Sequence, residues 1–371
     1  MCVALSASRS SRAAVLADWR AARLSLGCPA FSTFLSPYDP LPCAVVDGVG
    51  LGAGMSEPRQ QRVSVNGVSL CYFEWGERVA GAPSTLLVHA TGFHGRLWDQ
   101  SVKQFSGPVA GHIVAIDMRG HGRSDKTPPF NWDSFGSDVV AFVESLDLHN
   151  IVAAGHSMGG HCIVQAAARV PARFARLVLI DPVILSPEAY EQRANYVGAP
   201  TASEHPTAKR RNQWRDATQM FEHFKARMPF VNWQPEVLRD YCNWGIVPAA
   251  QGEGEGEGEG EGEGEGEGEG ESKREGFVLA CPPRVEASIY TGAAGRDILA
   301  LCESINIPVT VMRGRVREGE RQGPMDFSAS PTWPELATHF RKGTDVYLPE
   351  YSHFLAMEAP ELVADYVVGR R

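Results

Sequence analysis

The sequence predicts an α/β protein: a mostly parallel, eight-stranded sheet flanked by helices, with a helical segment inserted after the sixth strand. Three observations predict it. Short apolar runs bounded by turn residues, such as Thr85–His89, Ile151–Ala154 and Leu177–Asp181, read as strands buried on both faces. Stretches with helical spacing separate these runs, which implies right-handed crossovers and a doubly wound sheet. The rhythm then stops from Pro182 to about Ser304 and resumes, as an insertion would make it do.

Taken in order, residues 1–58 differ from the rest, rich in Ser, Ala and Arg at first and then punctuated by Pro and Gly. They are expected to be an extension without fixed structure, or sequence ahead of a true start at Met55. The other reading makes Ala13–Leu26 the amphipathic helix of a mitochondrial transit peptide, so a cytoplasmic location stands beside a mitochondrial one. Gln61–Val65 and Val68–Trp75 alternate in polarity around Asn66-Gly67, the strongest short hairpin signal. Thr85–His89, His112–Asp117, Ile151–Ala154 and Leu177–Asp181 follow as strands, with helices over Phe135–Leu146 and Cys162–Ala168. Strands return at Ile307–Met312 and Asp345–Leu348, with a short helix at Pro334–Phe340 and a closing one at Glu361–Val368. The core is therefore 59–182 with 304–371, and 183–303 is a helical cap rich in aromatic residues.

The formal net charge of −9 is misleading, because residues 252–271 are ten Gly-Glu repeats. Without those ten glutamates, 35 basic side chains face 34 acidic ones. No basic stripe points to nucleic acid. The repeat repels itself, has nothing to bury, and is expected to be a solvated loop of the cap. The eight cysteines are scattered without metal-ligand spacing, which fits free thiols in a reducing compartment. No apolar run is long enough for a membrane span.

The chemistry centres on Gly155-His-Ser-Met-Gly159. In a glycine-rich chain the bare G-x-S-x-G pattern is common, so the strand before it and the helix after it carry the weight. Such a tight turn strains the central residue and holds the hydroxyl of Ser157 above the carboxyl edge of the sheet. A serine hydroxyl needs a histidine to take its proton and a carboxylate to fix that histidine's tautomer. His353 lies after the last strand and before the last helix, where the base belongs, whereas His339 falls inside a predicted helix. Two carboxylates compete for the third place. Asp326 follows the Ile307–Met312 strand and is the first choice; Asp181, at the end of the preceding strand, is the alternative. Glu318 and Glu320 lie among arginines and read as solvated. The amide of Met158 and one from Thr91 or Gly92, in the loop after Val88-His89, are the expected oxyanion donors.

His89-Ala-Thr-Gly92, Asp117-Met-Arg-Gly-His-Gly-Arg-Ser124, Gly155-His-Ser-Met-Gly-Gly160 and Ser352-His353-Phe354 together resemble the α/β-hydrolase fold superfamily, in its serine-nucleophile, esterase- and lipase-like branch. The resemblance spans about 60–371. It implies a cofactor- and metal-free Ser/His/Asp hydrolase acting on a small molecule, its cap deciding what enters. Two departures stand out. Ala90 takes the place of the glycine that usually follows the histidine, and the usual Gly-x-x-Asp after the seventh strand is missing. The expected reaction is cleavage of an ester or thioester through an acyl-enzyme. A serine-dependent C–C hydrolase and a catalytically silent small-molecule binding protein of the same fold are the alternatives.

Overall fold

The computed structural model describes residues 57–195, 201–249, 276–292, 297–323 and 325–371. The expectations for 1–56, including the transit-peptide helix and Met55, and for the Gly-Glu repeat at 252–271 fall outside the described residues.

Elements run in chain order as β1 (Arg59–Val65), β2 (Val68–Gly76), β3 (Thr85–Val88), α1 (Asp99–Val102), β4 (His112–Ile116), α2 (Trp132–Ser145), β5 (Ile151–His156), α3 (Met158–Arg169) and β6 (Phe174–Ile180). The inserted segment holds α4 (Pro187–Ala194), β7 (Gln213–Trp214), α5 (Ala217–Phe224), α6 (Pro235–Trp244), β8 (Ile246–Pro248), β9 (Phe277–Leu279), α7 (Pro283–Gly292) and α8 (Leu299–Ser304). The chain ends with β10 (Val309–Arg313), β11 (Gly343–Tyr347), α9 (Leu355–Glu358) and α10 (Pro360–Val368).

Eight strands form one sheet in the order β1-β2-β4-β3-β5-β6-β10-β11. The Asn66-Gly67 hairpin pairs β1 with β2, and β2 runs antiparallel to β4; every other pairing in the sheet is parallel. The α/β-hydrolase-type architecture expected from sequence is therefore present. Alternation along the strands feeds two cores. Val114 and Ile116 of β4 join Phe135, Val139 and Phe142 of α2 and Ile163 of α3 on one face. Ile113 and Ala115 join Val102 of α1 and Val363 and Val367 of α10 on the other. Asn131 caps α2 by accepting from the Ser134 amide at 2.9 Å, so the helix starts three residues earlier than its apolar spacing suggests.

The inserted segment is less helical than expected. β7, β9 and β8 form a small antiparallel sheet, because two- and three-residue strands too short to show a period pair across sequence. Ala249 donates to Gly276 O at 3.0 Å, so the chain meets itself on the two sides of the repeat. Trp214, Met220, Trp233 and Tyr241 are buried, whereas Met228 stands 66% exposed. The helix expected over Pro334–Phe340 is one 3-10 turn, Leu336–His339. Among the described residues no helix is long and apolar enough to cross a membrane. Cys71, Cys162, Cys242, Cys281 and Cys302 are buried free thiols.

Where the inserted segment meets the core, Gln100 of α1 donates to Asp240 Oδ2 of α6 at 2.6 Å. Burial, and then the neighbouring Asp99, raise the pKa of Asp240 from 3.8 to about 7. The folded chain thus holds a proton that the unfolded chain gives up, and stability falls as pH rises from about 4 through about 7. Asp240→Asn should raise Tm at pH 8 by roughly 2–4 °C, as about 1 kcal/mol would in a large domain, and by less at pH 5. Thermal unfolding at the two pH values checks it, and an equal shift at both would count against the assignment.

Candidate active site

Ser157 sits between the last residue of β5 and the first of α3, at φ 56° and ψ −117°. Backbone in this region is held only where its surroundings over-determine it. Here the Ser157 amide donates to Ile180 O at 3.0 Å, and Ser157 O accepts from the amides of His161 and Val183, both at 3.3 Å. The turn is thus pinned by β6 on one side and by the first turn of α3 on the other.

His353 arrives on the loop after β11. Ser352 anchors that loop, its amide and hydroxyl donating to the Glu358 carboxylate at 2.9 and 2.5 Å, while the His353 amide donates to Phe327 O at 3.3 Å. His353 Nε2 lies 3.1 Å from Ser157 Oγ, and Nδ1 lies 2.6 Å from Asp181 Oδ2. A carboxylate oxygen accepts, so the ring proton belongs on Nδ1 and the Nε2 lone pair faces the serine hydroxyl. All three side chains are buried, Ser157 keeping 7% exposure.

The carboxylate that reaches His353 is Asp181, and this corrects the first choice made from sequence. Asp181 follows β6 at φ 45°, and its amide donates to Met312 O of β10 at 2.7 Å. Its Oδ1 accepts from the Gly314 amide at 2.8 Å and from Ser330 Oγ at 2.6 Å, which leaves Oδ2 for the imidazole. Asp326 is turned into its own loop. It takes the Ser328 hydroxyl at 2.6 Å, the amides of Gln322 and Ser328, and the guanidinium of Arg317. The Ser328 hydroxyl and then the amides of Gln322 and Ser328 hold its pKa well below the usual carboxylate range. Its neighbour Phe327 does reach the site, stacking on the His353 ring at 5.6 Å between centroids.

Sequence reasoning missed Phe327, Ser330 and His156. His156 donates from Nε2 to His353 O at 2.8 Å; burial, and then His353, lower its pKa to about 3, so it stays neutral behind that histidine. Its place in the Gly155–Gly159 motif was the available signal. Ser330 and Phe327 carry no signal in one sequence, since only the folded loop brings them to Asp181 and His353.

The candidate oxyanion residues converge on the same edge. Met158 opens α3, where helix amides lack intrahelical acceptors. Thr91 Oγ1 lies 3.3 Å from Met158 Sδ, and Gly92 has φ 82°. His89 fixes this loop: its Nε2 accepts from the Met118 amide at 3.0 Å, so its Nδ1 carries the proton and donates to Ala90 O at 2.7 Å. Burial lowers the pKa of His89 and keeps it neutral in that role. Asp117 adds a second tie, accepting from the Gly95 amide at 2.7 Å. Ala90 is accommodated, its methyl buried among Leu97 and Trp98, and the turn closes with Phe93 donating to Ala90 O at 3.2 Å. Among the described residues no group of three His, Cys, Asp or Glu side chains could hold a metal ion.

Non-heme chloroperoxidase of Streptomyces lividans is 35% identical over 120 residues, 32% of this chain and 42% of that protein. Lipase LipV of Mycobacterium tuberculosis is 33% identical over 110 residues, 28% of this chain and 39% of the lipase. The matched stretches span less than half the length of these curated relatives. Among solved structures, E-2-(acetamidomethylene)succinate hydrolase superposes with a TM-score of 0.60 at 17% identity, covering 84% of this chain and 98% of the other, a likeness of fold. A family model matches residues 85–366, three quarters of the chain, and with its eight-stranded, mostly parallel sheet the chain belongs to the alpha/beta hydrolase family.

Proposed function

We propose that the protein is a serine hydrolase that cleaves a carboxylic ester or thioester of a small, largely apolar molecule through an acyl-enzyme. The observation that carries this reading is the single line of contacts from Asp181 through His353 to Ser157, 2.6 and 3.1 Å long. Ser157 Oγ attacks the carbonyl carbon as His353 Nε2 takes its proton. The amides of Met158 and of Thr91 or Gly92 receive the charge on the carbonyl oxygen. Collapse breaks the bond to the alcohol or thiol, which leaves with the proton from His353. Water, deprotonated by His353, then attacks the acyl-enzyme and releases the acid and Ser157. Asp181 stabilises the imidazolium in both halves.

An apolar substrate is supported by the surroundings. Phe93 meets Trp233 and Tyr241 of the inserted segment at 5.6 and 5.7 Å, and Phe354 meets Trp233 at 5.4 Å. The inserted segment, read as a cap, thus offers aromatic rings beside the oxyanion loop and the base loop. A fluorophosphonate probe tests the mechanism. Wild type should be labelled and Ser157→Ala should not; an unlabelled wild type, or labelling that survives the substitution, would overturn the reading. A panel of p-nitrophenyl esters of graded chain length then sets the substrate class.

A further inference from the structure

We propose that Arg210 is a positioning residue for the oxyanion loop: by pairing with Glu286, it keeps a buried negative charge from opposing the charge that develops on the substrate carbonyl oxygen beside Thr91 and Gly92. The proposal rests on the serine-hydrolase reading and deepens it.

Three parts of the inserted segment meet the loop after β3 at this point. Arg210, just past a 3-10 turn at Pro206–Lys209, donates from Nη1 to Glu286 Oε2 of α7 at 2.6 Å and from Nη2 to the Tyr241 hydroxyl of α6 at 2.9 Å. Glu286 is 3% exposed and lies flat against Gly92: a Cβ built there would stand 2.6 Å from Glu286 Oε1 and 2.9 Å from Cδ. With φ 82° as well, position 92 favours glycine, and the close approach brings the carboxylate onto the oxyanion loop itself. Tyr241, held by the same guanidinium, packs its ring edge-on against Phe93, the next residue of that loop. Arg210 therefore sits at the node through which the inserted segment touches two consecutive residues of the loop.

A carboxylate in that place is electrostatically wrong for the chemistry. The proposed reaction builds negative charge on oxygen at Thr91–Gly92 and Met158, in surroundings with little water to screen it. The titratable groups facing Glu286 are Arg210, Tyr241 of α6, Tyr290 on its own helix and Cys281 just before it. Burial raises the pKa of Tyr241, Tyr290 and Cys281, so these three remain neutral, and among the described residues Arg210 alone brings an opposing charge. Burial also raises the pKa of Glu286, an effect Arg210 offsets only in part. Without the guanidinium, Glu286 alternates between a neutral acid and an unpaired anion as pH rises.

The test compares Arg210→Met, Arg210→Met/Glu286→Gln and Arg210→Lys with wild type. The readouts are the fluorophosphonate labelling rate of Ser157, and kcat and KM on a p-nitrophenyl ester from pH 5.5 to 9, in variants that retain cooperative thermal unfolding. Arg210→Met should lower kcat at pH 8 by roughly 10²-fold, the scale of losing one oxyanion donor, with a smaller change in KM. Its kcat should also gain a descending alkaline limb, because deprotonation of Glu286 restores the opposing charge. Removing that charge in the double variant should recover at least about tenfold of the loss and abolish the new limb. Arg210→Lys keeps the charge without the fork, so it should keep the wild-type pH profile; an alkaline limb there counts against the proposal, even if Arg210→Met fails to fold. Equal losses in the single and double variants with wild-type pH profiles, or no loss in Arg210→Met, would overturn it while a labelled wild type leaves the hydrolase reading standing. An unlabelled wild type would overturn both.

Discussion

Asp181→Asn is expected to lower kcat by about 10⁴-fold while leaving KM and the fold nearly unchanged. The size follows from one proton. An asparagine at 181 keeps an oxygen for the Gly314 amide and for Ser330 Oγ, so the loop has no reason to move. Its amide nitrogen, however, can only donate to His353 Nδ1. The imidazole must then carry its own proton on Nε2, the atom 3.1 Å from Ser157 Oγ, and it can no longer take the serine's proton. Asp326→Asn breaks contacts confined to residues 317–328 and should leave turnover close to wild type. Steady-state kinetics and the fluorophosphonate labelling rate of the two variants settle the matter. A near-wild-type Asp181→Asn, or a collapse of activity in Asp326→Asn, would reject Asp181 as the acid.

The two aspartates also show how far the sequence could be read. Ser157 and His353 were legible because each is defined locally: one by a strand-turn-helix of about ten residues, the other by falling between the last strand and the last helix. The acid is not a local property. β6 and β10 are hydrogen-bonded neighbours, so the loops after both open on the same edge beside His353, and chain order allows either. What decides is where the backbone of residues 314–330 goes. It places the Gly314 amide and the Ser330 hydroxyl on Asp181 and closes Asp326 on Arg317 and Ser328, and no spacing rule encodes that choice. The parallel sheet was legible for the opposite reason, since β3, β4 and β5 are wholly buried, β6 and β10 largely so, and each announces itself as an apolar run; the edge strand β11 is mostly exposed. The small sheet of the inserted segment has strands of two or three residues, and Trp214 finds Phe277 across more than sixty positions, so neither composition nor period could reveal it.

Gly159→Ala is expected to damage the fold severely. A Cβ at 159 would lie 2.2 Å from Val88 O and 2.7 Å from both Val88 C and His89 O. These are backbone atoms, and they cannot retreat cheaply. Val88 is the last residue of β3, registered between Ile116 of β4 and Gly155 of β5 in the centre of the sheet, and His89 is tied on to Ala90 O and the Met118 amide. Relief must come from pushing α3 off the sheet, which would lift Met158 and Ser157 with it. Overpacking against a fixed backbone should cost at least about 3 kcal/mol, or a fall in Tm on the order of 10 °C. Gly111→Ala is the control, since its Cβ would meet nothing nearer than Pro108 O at 3.4 Å, and it should leave Tm within roughly 2 °C. Calorimetry of the pair distinguishes a general intolerance of added methyl groups from a specific one at the elbow, and similar shifts in both would reject the steric account. Where Gly159→Ala still folds, the displaced α3 predicts a second effect: slower fluorophosphonate labelling, because the amide of Met158 and the hydroxyl of Ser157 move away from the loop at Thr91. The helix that follows Ser157 is therefore held down by the absence of one methyl group, and the strain at Ser157 is sustained by the close packing of that helix on β3.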